Sequence, residues 1–430
     1  MRTSKRLFLA VSLLLIVSTV IISGCAGAPA PTPTSAPPAK PATTPAATPA
    51  GAPQPTKAPA ATPAAQAQPA GTVKIGAAGP FSGQLSKIGQ DSLNAVKFAV
   101  DEINAAGGVG GMKIEVVEGD DGADPAKAAT VAEKFGTDSS IVGVIGPMTS
   151  GAVNASLPVY QKYNLVIISQ SATNPNLTEQ GFKVMHRICP RDDDQGPAAA
   201  MFIAQDLKLK SVYLLDGKDT YSAGLAGEVE KKLKELGVTI AGHDQYAPED
   251  KDFSTLLTRI KSAKPDMIYM PDPDPSHAAM FLKQAADLGV KAKFMTGEAG
   301  YEKAEFIDKS GGAAEGAYLT NIGPILTTIP EAKGFIKNFT AKYGGMSVFA
   351  GQSYEATKIL AEAIKKSIKN GKVSREDVLS AVHNTKDYKG ILGAPIGFND
   401  KGDLVSGTIF VYQVKNGDFT QLKSVSARGR

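Results

Sequence analysis

An α/β fold of two similar lobes, each a parallel-type sheet flanked by helices and joined by a hinge of several crossings, is predicted for this 430-residue chain. Three observations lead there. From residue 72 onward, short apolar runs alternate with amphipathic helical stretches, the pattern of βαβ units in a covered parallel sheet. That alternation restarts after "RDDDQGP" at 191–197, giving two ladders. Near Asn321 it gives way to consecutive helices and two last strands, a tail that returns to complete the first lobe.

The chain opens with "MRTSKRLFLAVSLLLIVSTVIISGC". Arg2, Lys5 and Arg6 precede an apolar run from Leu7 to Ile22, the form of a secretory signal rather than a fold element. The run is short for a membrane span of about 20 residues. Small residues directly before Cys25 form a lipoprotein-processing box, so residues 1–25 read as a signal peptide ending at a lipidated Cys25. Residues 26–71 hold 13 of the 28 prolines and consist almost wholly of Pro, Ala, Thr, Gly and Gln. Such a composition offers too little apolar surface to offset ordering entropy, which predicts a disordered tether. Extended at about 3.1 Å per residue, it reaches on the order of 100 Å. Residues 1–71 carry five basic and no acidic residues, so the chain's net charge of +4 becomes −1 beyond them. A nearly neutral folded part gives no reason to expect nucleic acid as a partner.

The first ladder reads as strand "TVKIGAA" and helix "QDSLNAVKFAVDEINAAGG", with Leu93, Val96, Val100 and Ile103 on one face and Gly107-Gly108 as a stop. Strand "MKIEVVEGDD", proline-led helix "PAKAATVAEKF", strand "IVGVIGP", helix "TSGAVNASLPVYQKY" and strand "LVIIS" follow. The second begins with a helix over 195–207, then "SVYLLD", "SAGLAGEVEKKLKELG", "VTIAGHDQYA", "FSTLLTRIKSA", "DMIYMP", "SHAAMFLKQAADLG" and "AKFMTG". Helices over 331–343, 350–369 and 375–383 precede strands "GAPIGF" and "GTIFVYQV". These segments divide into lobe 1 at 72–191 plus 322–403 and lobe 2 at 192–321 plus 404–430.

Catalytic motifs are missing: no GxxxxGK[ST], HExxH or GxSxG occurs, which argues against an enzyme and against a bound cofactor. "GGVGG" at 107–111 follows a helix and precedes a strand, so it reads as a turn. His186, His243, His277 and His383 lack ligand spacing. Cys189 is the one cysteine after the tether, which excludes an internal disulfide or a CxxC site there. The acidic runs at 120–121 and 192–194 read as helix starts and solvated loops rather than a metal site.

Polar clusters recur at strand ends, where open α/β sheets bind ligands. "GPMTSG" follows the strand at 141–145, "SQSATN" that at 165–168, "DGKDTYSAG" that at 211–215 and "GEAG" that at 293–296. Thr149, Ser150, Ser171 and Thr173, with N–H groups at helix starts, suit a carboxylate. Glu298 suits an ammonium, and Tyr221 offers a ring and a hydroxyl. Read one by one, Ser150 and Thr173 also serve as helix caps and Glu298 as a surface carboxylate.

From "KIGAAGPFSGQLSKIGQDSLNAVKFAVDEINAAGGVGGMKIEVVEGDDGADPAKAATVAEKF" through "GVIGPMTSG", "SQSATNP", "RDDDQGP", "YSAG" and "KDFSTLLTRIK", the chain resembles the leucine/isoleucine/valine-binding protein family. The resemblance covers 72–430 in order. It implies the type I periplasmic binding fold, with a ligand trapped between lobes and passed to an ABC transporter permease. Carried over, Ser150 and Thr173 match side-chain contacts to the ligand α-carboxylate, Ser171 a backbone contact, Tyr221 a contact from lobe 2, and Glu298 the partner of the α-ammonium. Two contact positions depart from the pattern: Ile88 in "SKIGQD" replaces an aromatic residue, and Pro273 in "PDPDP" replaces a tyrosine. Ala123 and Thr149 stand where the family has half-cystines. The resemblance implies a monomeric, lipid-anchored, exported receptor for a small carboxylate, foremost an amino acid with an apolar or branched side chain. A carboxylic acid without the ammonium is the close rival ligand, with Asp272 or Asp274 as a substitute contact or the "PDPDP" loop turned to solvent. A sensor role is the rival to transport.

Overall fold

The computed structural model describes residues 71–427. The expected signal peptide, Cys25 and the tether up to residue 70 lie outside the described residues. Gly71, expected in the tether, is the first residue of a strand.

Five strands form one all-parallel sheet: β1 (Gly71–Gly79), β2 (Met112–Asp120), β3 (Ile141–Ile145), β4 (Ile167–Ser169) and β5 (Met185–Arg187), in the order β2-β1-β3-β4-β5. They are connected by α1 (Ser86–Ala105), α2 (Pro125–Thr137), α3 (Ser150–Lys162) and the short α4 (Asn176–Glu179). The predicted face of α1 is observed: Leu93, Val96 and Val100 are buried against β1 and β2 residues such as Val73 and Ile114. Pro125 starts α2, where a missing N–H costs nothing, and Asp124 caps it by accepting from Ala126 and Lys127 N–H.

The second sheet contains β6 (Ser211–Asp216), β7 (Thr239–Gln245), β8 (Met267–Tyr269), β9 (Lys293–Thr296) and β10 (Tyr318–Asn321), then β11 (Gly407–Lys415) and β12 (Asp418–Ala427). Its order is β12-β11-β10-β9-β8-β6-β7; β6 to β10 run parallel, and β11 and β12 are antiparallel additions at one edge. The β11–β12 turn is Asn416-Gly417 with φ of 53° and 70°, the left-handed pair that a two-residue hairpin requires. Helices α5 (Asp192–Met201), α6 (Thr220–Glu235), α7 (Ser254–Ala263) and α8 (Pro275–Asp287) flank it. Between β10 and β11, helices α9 (Lys333–Tyr343), α10 (Ala350–Lys366) and α11 (Arg375–His383) return to the first lobe, α10 packing on α1 and both α10 and α11 on β3. The chain therefore crosses between sheets after β5, after β10 and before β11.

Some expectations fail for local reasons. "GAPIGF" forms no strand and contributes the isolated bridges Tyr388↔Ile396 and Phe398↔Leu404, because Pro395 and the left-handed Gly393 interrupt a ladder. The helix expected at 195–207 starts at Asp192 and passes into a π turn over Phe202–Asp206. The run 192–194 is a helix start, as expected, but Asp192 is wholly buried rather than solvated.

Two crossings are bonded together. Arg187 Nε donates to Asp403 Oδ1 at 2.7 Å, and Arg191 Nη1 donates to Asp403 Oδ2 at 2.8 Å. The remaining donors of Arg187 reach Ala172 O, Asn174 O and Thr178 Oγ1. Removing one partner of such a buried pair leaves an uncompensated charge, at a cost of about 3–5 kcal/mol. Asp403→Ala is therefore expected to lower unfolding free energy by that order in urea titrations; a loss below about 1 kcal/mol would contradict the clamp.

Candidate ligand-binding cleft

A cleft of about 410 Å³ is lined from both lobes at the carboxyl ends of the strands. Its first-lobe wall begins where β3 ends. Gly146 sits at φ 97°, and a Cβ there would come within 2.1 Å of Ala78 O, so only glycine permits this turn. The turn delivers Met148, Thr149, Ser150 and Gly151 to the cleft. Thr149, not Ser150, caps α3, its Oγ1 accepting from Ala152 N–H at 3.3 Å. Ser150 is thereby left at the first turn of α3, the positive end of the helix dipole, with its Oγ accepting from Asn174 N–H at 3.3 Å. Ser171 follows β4, lines the same wall and donates from Oγ to Met148 O at 2.8 Å.

The opposite wall centres on Glu298, which follows β9 and is 3 % exposed. Its Oε2 accepts from Gln195 Nε2 at 2.7 Å and from Tyr221 OH at 2.8 Å. Gly297 makes room for this: a Cβ there would lie 2.2 Å from the Tyr221 hydroxyl. Burial pushes the Glu298 carboxyl above its ordinary range, and the bonds from Gln195 and Tyr221 pull it part of the way back.

Ile88, Ser150, Ser171, Tyr221, Pro273 and Glu298 all line this one cleft. Thr173 does not. It is fully buried behind the wall, where its hydroxyl approaches the Asp192 carboxylate, but no bond of ordinary hydrogen-bond geometry forms. The "PDPDP" segment turns into the cleft, contrary to the solvent-facing alternative: Asp272, Pro273 and Asp274 are all lining residues. Asp274 caps α8, while Asp272 Oδ2 accepts from Tyr246 OH at 2.9 Å and pairs with His277 Nδ1 at 2.6 Å. Burial works against the His277 cation, but the bond and charge of Asp272 outweigh it and raise the imidazole pKa.

Several lining residues escape sequence reading. Asp219 sits inside the quoted "DGKDTYSAG" and caps α6 through Tyr221 and Ser222 N–H, yet its second oxygen, Oδ2, is buried without a partner. Tyr246, Leu85 and Phe349 are brought in from separate segments, and no local pattern marks them. Gln195, the residue that holds Glu298, belongs to the quoted "RDDDQGP", which was its one available signal. Among the described residues, no group of three or more His, Cys, Asp or Glu side chains is placed to hold a metal.

Residues 72–418 match the profile of the periplasmic binding protein family. The chain belongs to that family. The leucine-, isoleucine-, valine-, threonine- and alanine-binding protein of Pseudomonas aeruginosa is 32% identical to it over 346 residues, covering 80% of this chain and 90% of that one. Among solved structures, the isoleucine complex of a branched-chain amino acid transporter substrate-binding protein from Streptococcus pneumoniae superposes with a TM-score of 0.74 at 28% identity, covering 83% and 99% of the two chains. A Thermotoga maritima leucine-binding protein gives 0.74 at 26%, covering 82% and 98%. A benzoate complex of a solute-binding protein from R. palustris, 20% identical with a TM-score of 0.72 and covering 84% and 99%, shares the fold. This periplasmic binding protein is thus an extracytoplasmic solute receptor of the ABC-transporter type and not an enzyme. No helix among the described residues is long and apolar enough to cross a membrane.

The acidic wall gives the protein a pH signature. Burial raises the Asp219 carboxyl to about 6, N–H bonds from Ser222 and Tyr221 oppose this, and the Asp272 charge adds to it. A raised carboxyl binds its proton more tightly folded than unfolded, so the Asp219 contribution to stability is fully present below about pH 4 and is lost as pH rises through about 6. At about 1.4 kcal/mol per unit, Asp219 contributes roughly 3 kcal/mol of that slope. Asp219→Asn, which keeps the cap, is expected to remove this share in melting curves between pH 4 and 7; an unchanged slope would contradict it.

Proposed function

We propose that the protein captures an amino acid with an apolar or branched side chain between its lobes and delivers it to the permease of an ABC importer. The observation that carries this reading is the pairing, across one cleft, of the α3 start bearing Ser150, with Ser171 beside it after β4, and the buried, doubly bonded carboxylate of Glu298. A carboxylate suits the first wall and an ammonium the second, which together describe a zwitterion. In this reading Thr173 backs the carboxylate end and Tyr221 closes on the ligand from the second lobe. Ile88, Met148 and Phe349, all buried in one apolar cluster, receive the side chain. Pro273 leaves more room than the tyrosine of the family pattern. The names of the Pseudomonas relative and the Streptococcus complex support the same class of cargo.

The division into lobe 1 at 72–191 plus 322–403 and lobe 2 at 192–321 plus 404–430 follows the three crossings, which serve as the hinge. A ligand that touches both walls only in the closed form shifts the population toward closure, and the closed form docks on the permease. Cys25 carries the lipid that keeps a monomer at the membrane. Cys25→Ser is expected to move the protein from the membrane fraction to the soluble fraction after cell lysis; retention in the membrane would contradict the anchor.

The ligand class is checked by melting the purified protein, unfolded and refolded to strip bound ligand, with leucine and with its deaminated analogue 4-methylpentanoate. At 100 times Kd a ligand stabilises by about 2.7 kcal/mol. Leucine is expected to raise Tm, and Glu298→Ala to abolish that shift. A shift with 4-methylpentanoate alone would replace the amino acid by a plain carboxylic acid.

A further inference from the structure

Two short segments of the sequence, "SQSATNP" and "YSAG", meet between the lobes at residues that the proposed ligand contacts leave unused. Asn174, between β4 and α4, donates from Nδ2 to Thr220 O in the first turn of α6 at 2.8 Å, a bond from the first lobe to the second. The rest of Asn174 is held within the first lobe. Its Oδ1 accepts from Asn176 N–H at 3.0 Å, and its backbone oxygen accepts from Arg187 Nη1 at 2.9 Å. With Oδ1 occupied in this way, the amide nitrogen is the end turned toward α6. The residue is only 6 % exposed.

The second lobe is shaped to receive that amide. Thr220 is the first residue of α6, and its carbonyl points along the helix toward position 224, one turn on. Gly224 leaves the carbonyl uncovered there: a Cβ on it would stand 2.4 Å from Asn174 Nδ2. The start of α3 approaches the same place, since a Cβ at Gly151 would lie 3.6 Å from Thr220 Oγ1. Asn174 is also bonded toward both walls of the cleft. Its N–H donates to Ser150 Oγ, which occupies a lone pair of that hydroxyl and leaves its proton to donate to a ligand carboxylate. On the other side, Thr220 directly precedes Tyr221, whose hydroxyl donates to Glu298.

We propose that Asn174 is a closure latch, a positioning residue whose amide bonds Thr220 across the lobes, holds a closed fraction in the empty protein and slows ligand release. A bond made only in the closed form stabilises that form and lowers the rate of opening, while encounter of ligand with the open form is unaffected. One hydrogen bond of this kind shifts the closing equilibrium by about five- to tenfold. Asn174 does not line the cleft, so its effect is the same for every compound the cleft admits. The inference rests on the capture between lobes proposed above, and not on which ligand is captured.

The first test needs no ligand. A spin label on an exposed site of the second lobe broadens first-lobe amide resonances whenever the lobes close, and this relaxation registers even a minor closed form. The refolded, empty wild type is expected to show such broadening, reduced about five- to tenfold in both Asn174→Ala and Gly224→Ala. Alanine is a better helix former than glycine, so Gly224→Ala removes the latch without weakening α6. Equal broadening in all three proteins, or none in the wild type, would overturn the latch. The second test is stopped-flow release of leucine. Each variant is expected to raise koff by about five- to tenfold with kon unchanged, and the double variant to be no faster than either, because both remove the same bond. A merely structural role would instead lower the Tm of the empty protein and slow association as well. A koff within about twofold of wild type, or effects that add in the double variant, would contradict the proposal. Failure of leucine to bind would overturn the amino-acid reading alone, and the relaxation measurement would still decide the latch.

Discussion

A carboxylate held out of water is the constraint around which the cleft is organised. Glu298 is stable where it sits because Gln195 and Tyr221 both donate to it, and each arrives from a different helix start. Gln195 also donates to Thr320 in β10, at 2.8 Å, so the side chain that supports Glu298 is braced by the strand preceding the second crossing. Gly297 is needed for the Tyr221 hydroxyl to approach. A binding wall of this kind is not a surface patch with charges on it. It is a buried polar network whose parts are worth little unless all are present.

The hinge follows from the same economy of burial. Parallel strands leave their carboxyl ends facing one crevice, and a tail that adds helices to one lobe and strands to the other forces the chain across three times. Asp403, just before the third crossing, accepts from Arg187 and Arg191 beside the first. At the base of the cleft, Ile88 of α1, Met148, Cys189, Ala198 of α5, Ile322, Phe349 and Ile409 of β11 form one apolar cluster drawn from the second sheet, flanking helices and connecting segments. In the proposed closure, motion about the crossings would take place over a packed base and beside a buried ion pair, conditions that favour two defined arrangements over a continuum.

Much of the fold is legible in sequence because period and length speak clearly in the long elements. The face of α1, the proline start of α2 and the strand–helix alternation are direct consequences of side-chain spacing. What could not be read lacks that signal. β5 and β10 are three and four residues long, too short to establish a period. β12 alternates exposed and half-buried residues and is held by its hairpin partner rather than by apolar content. "GAPIGF" looks apolar, but glycine and proline decide its backbone. At the site, residues at strand ends were visible because the topology itself marks them, as with Ser150, Ser171 and Glu298. Phe349 and Tyr246 reach the cleft from remote segments, and Thr173 is buried behind the wall, near Asp192, which reads as a solvated helix start but is itself buried. At Asp192 three consecutive aspartates read as solvent-facing, and packing of α5 against α6 overrides that for the first of them.

The most direct measurement is a crystal structure of the refolded protein saturated with leucine. The account predicts closed lobes, the ligand carboxylate at the first turn of α3 beside Ser150 and Ser171, and the ammonium on the Glu298 carboxylate. Leucine bound with its ammonium away from Glu298, or in a cleft whose lobes have not closed on it, would contradict it.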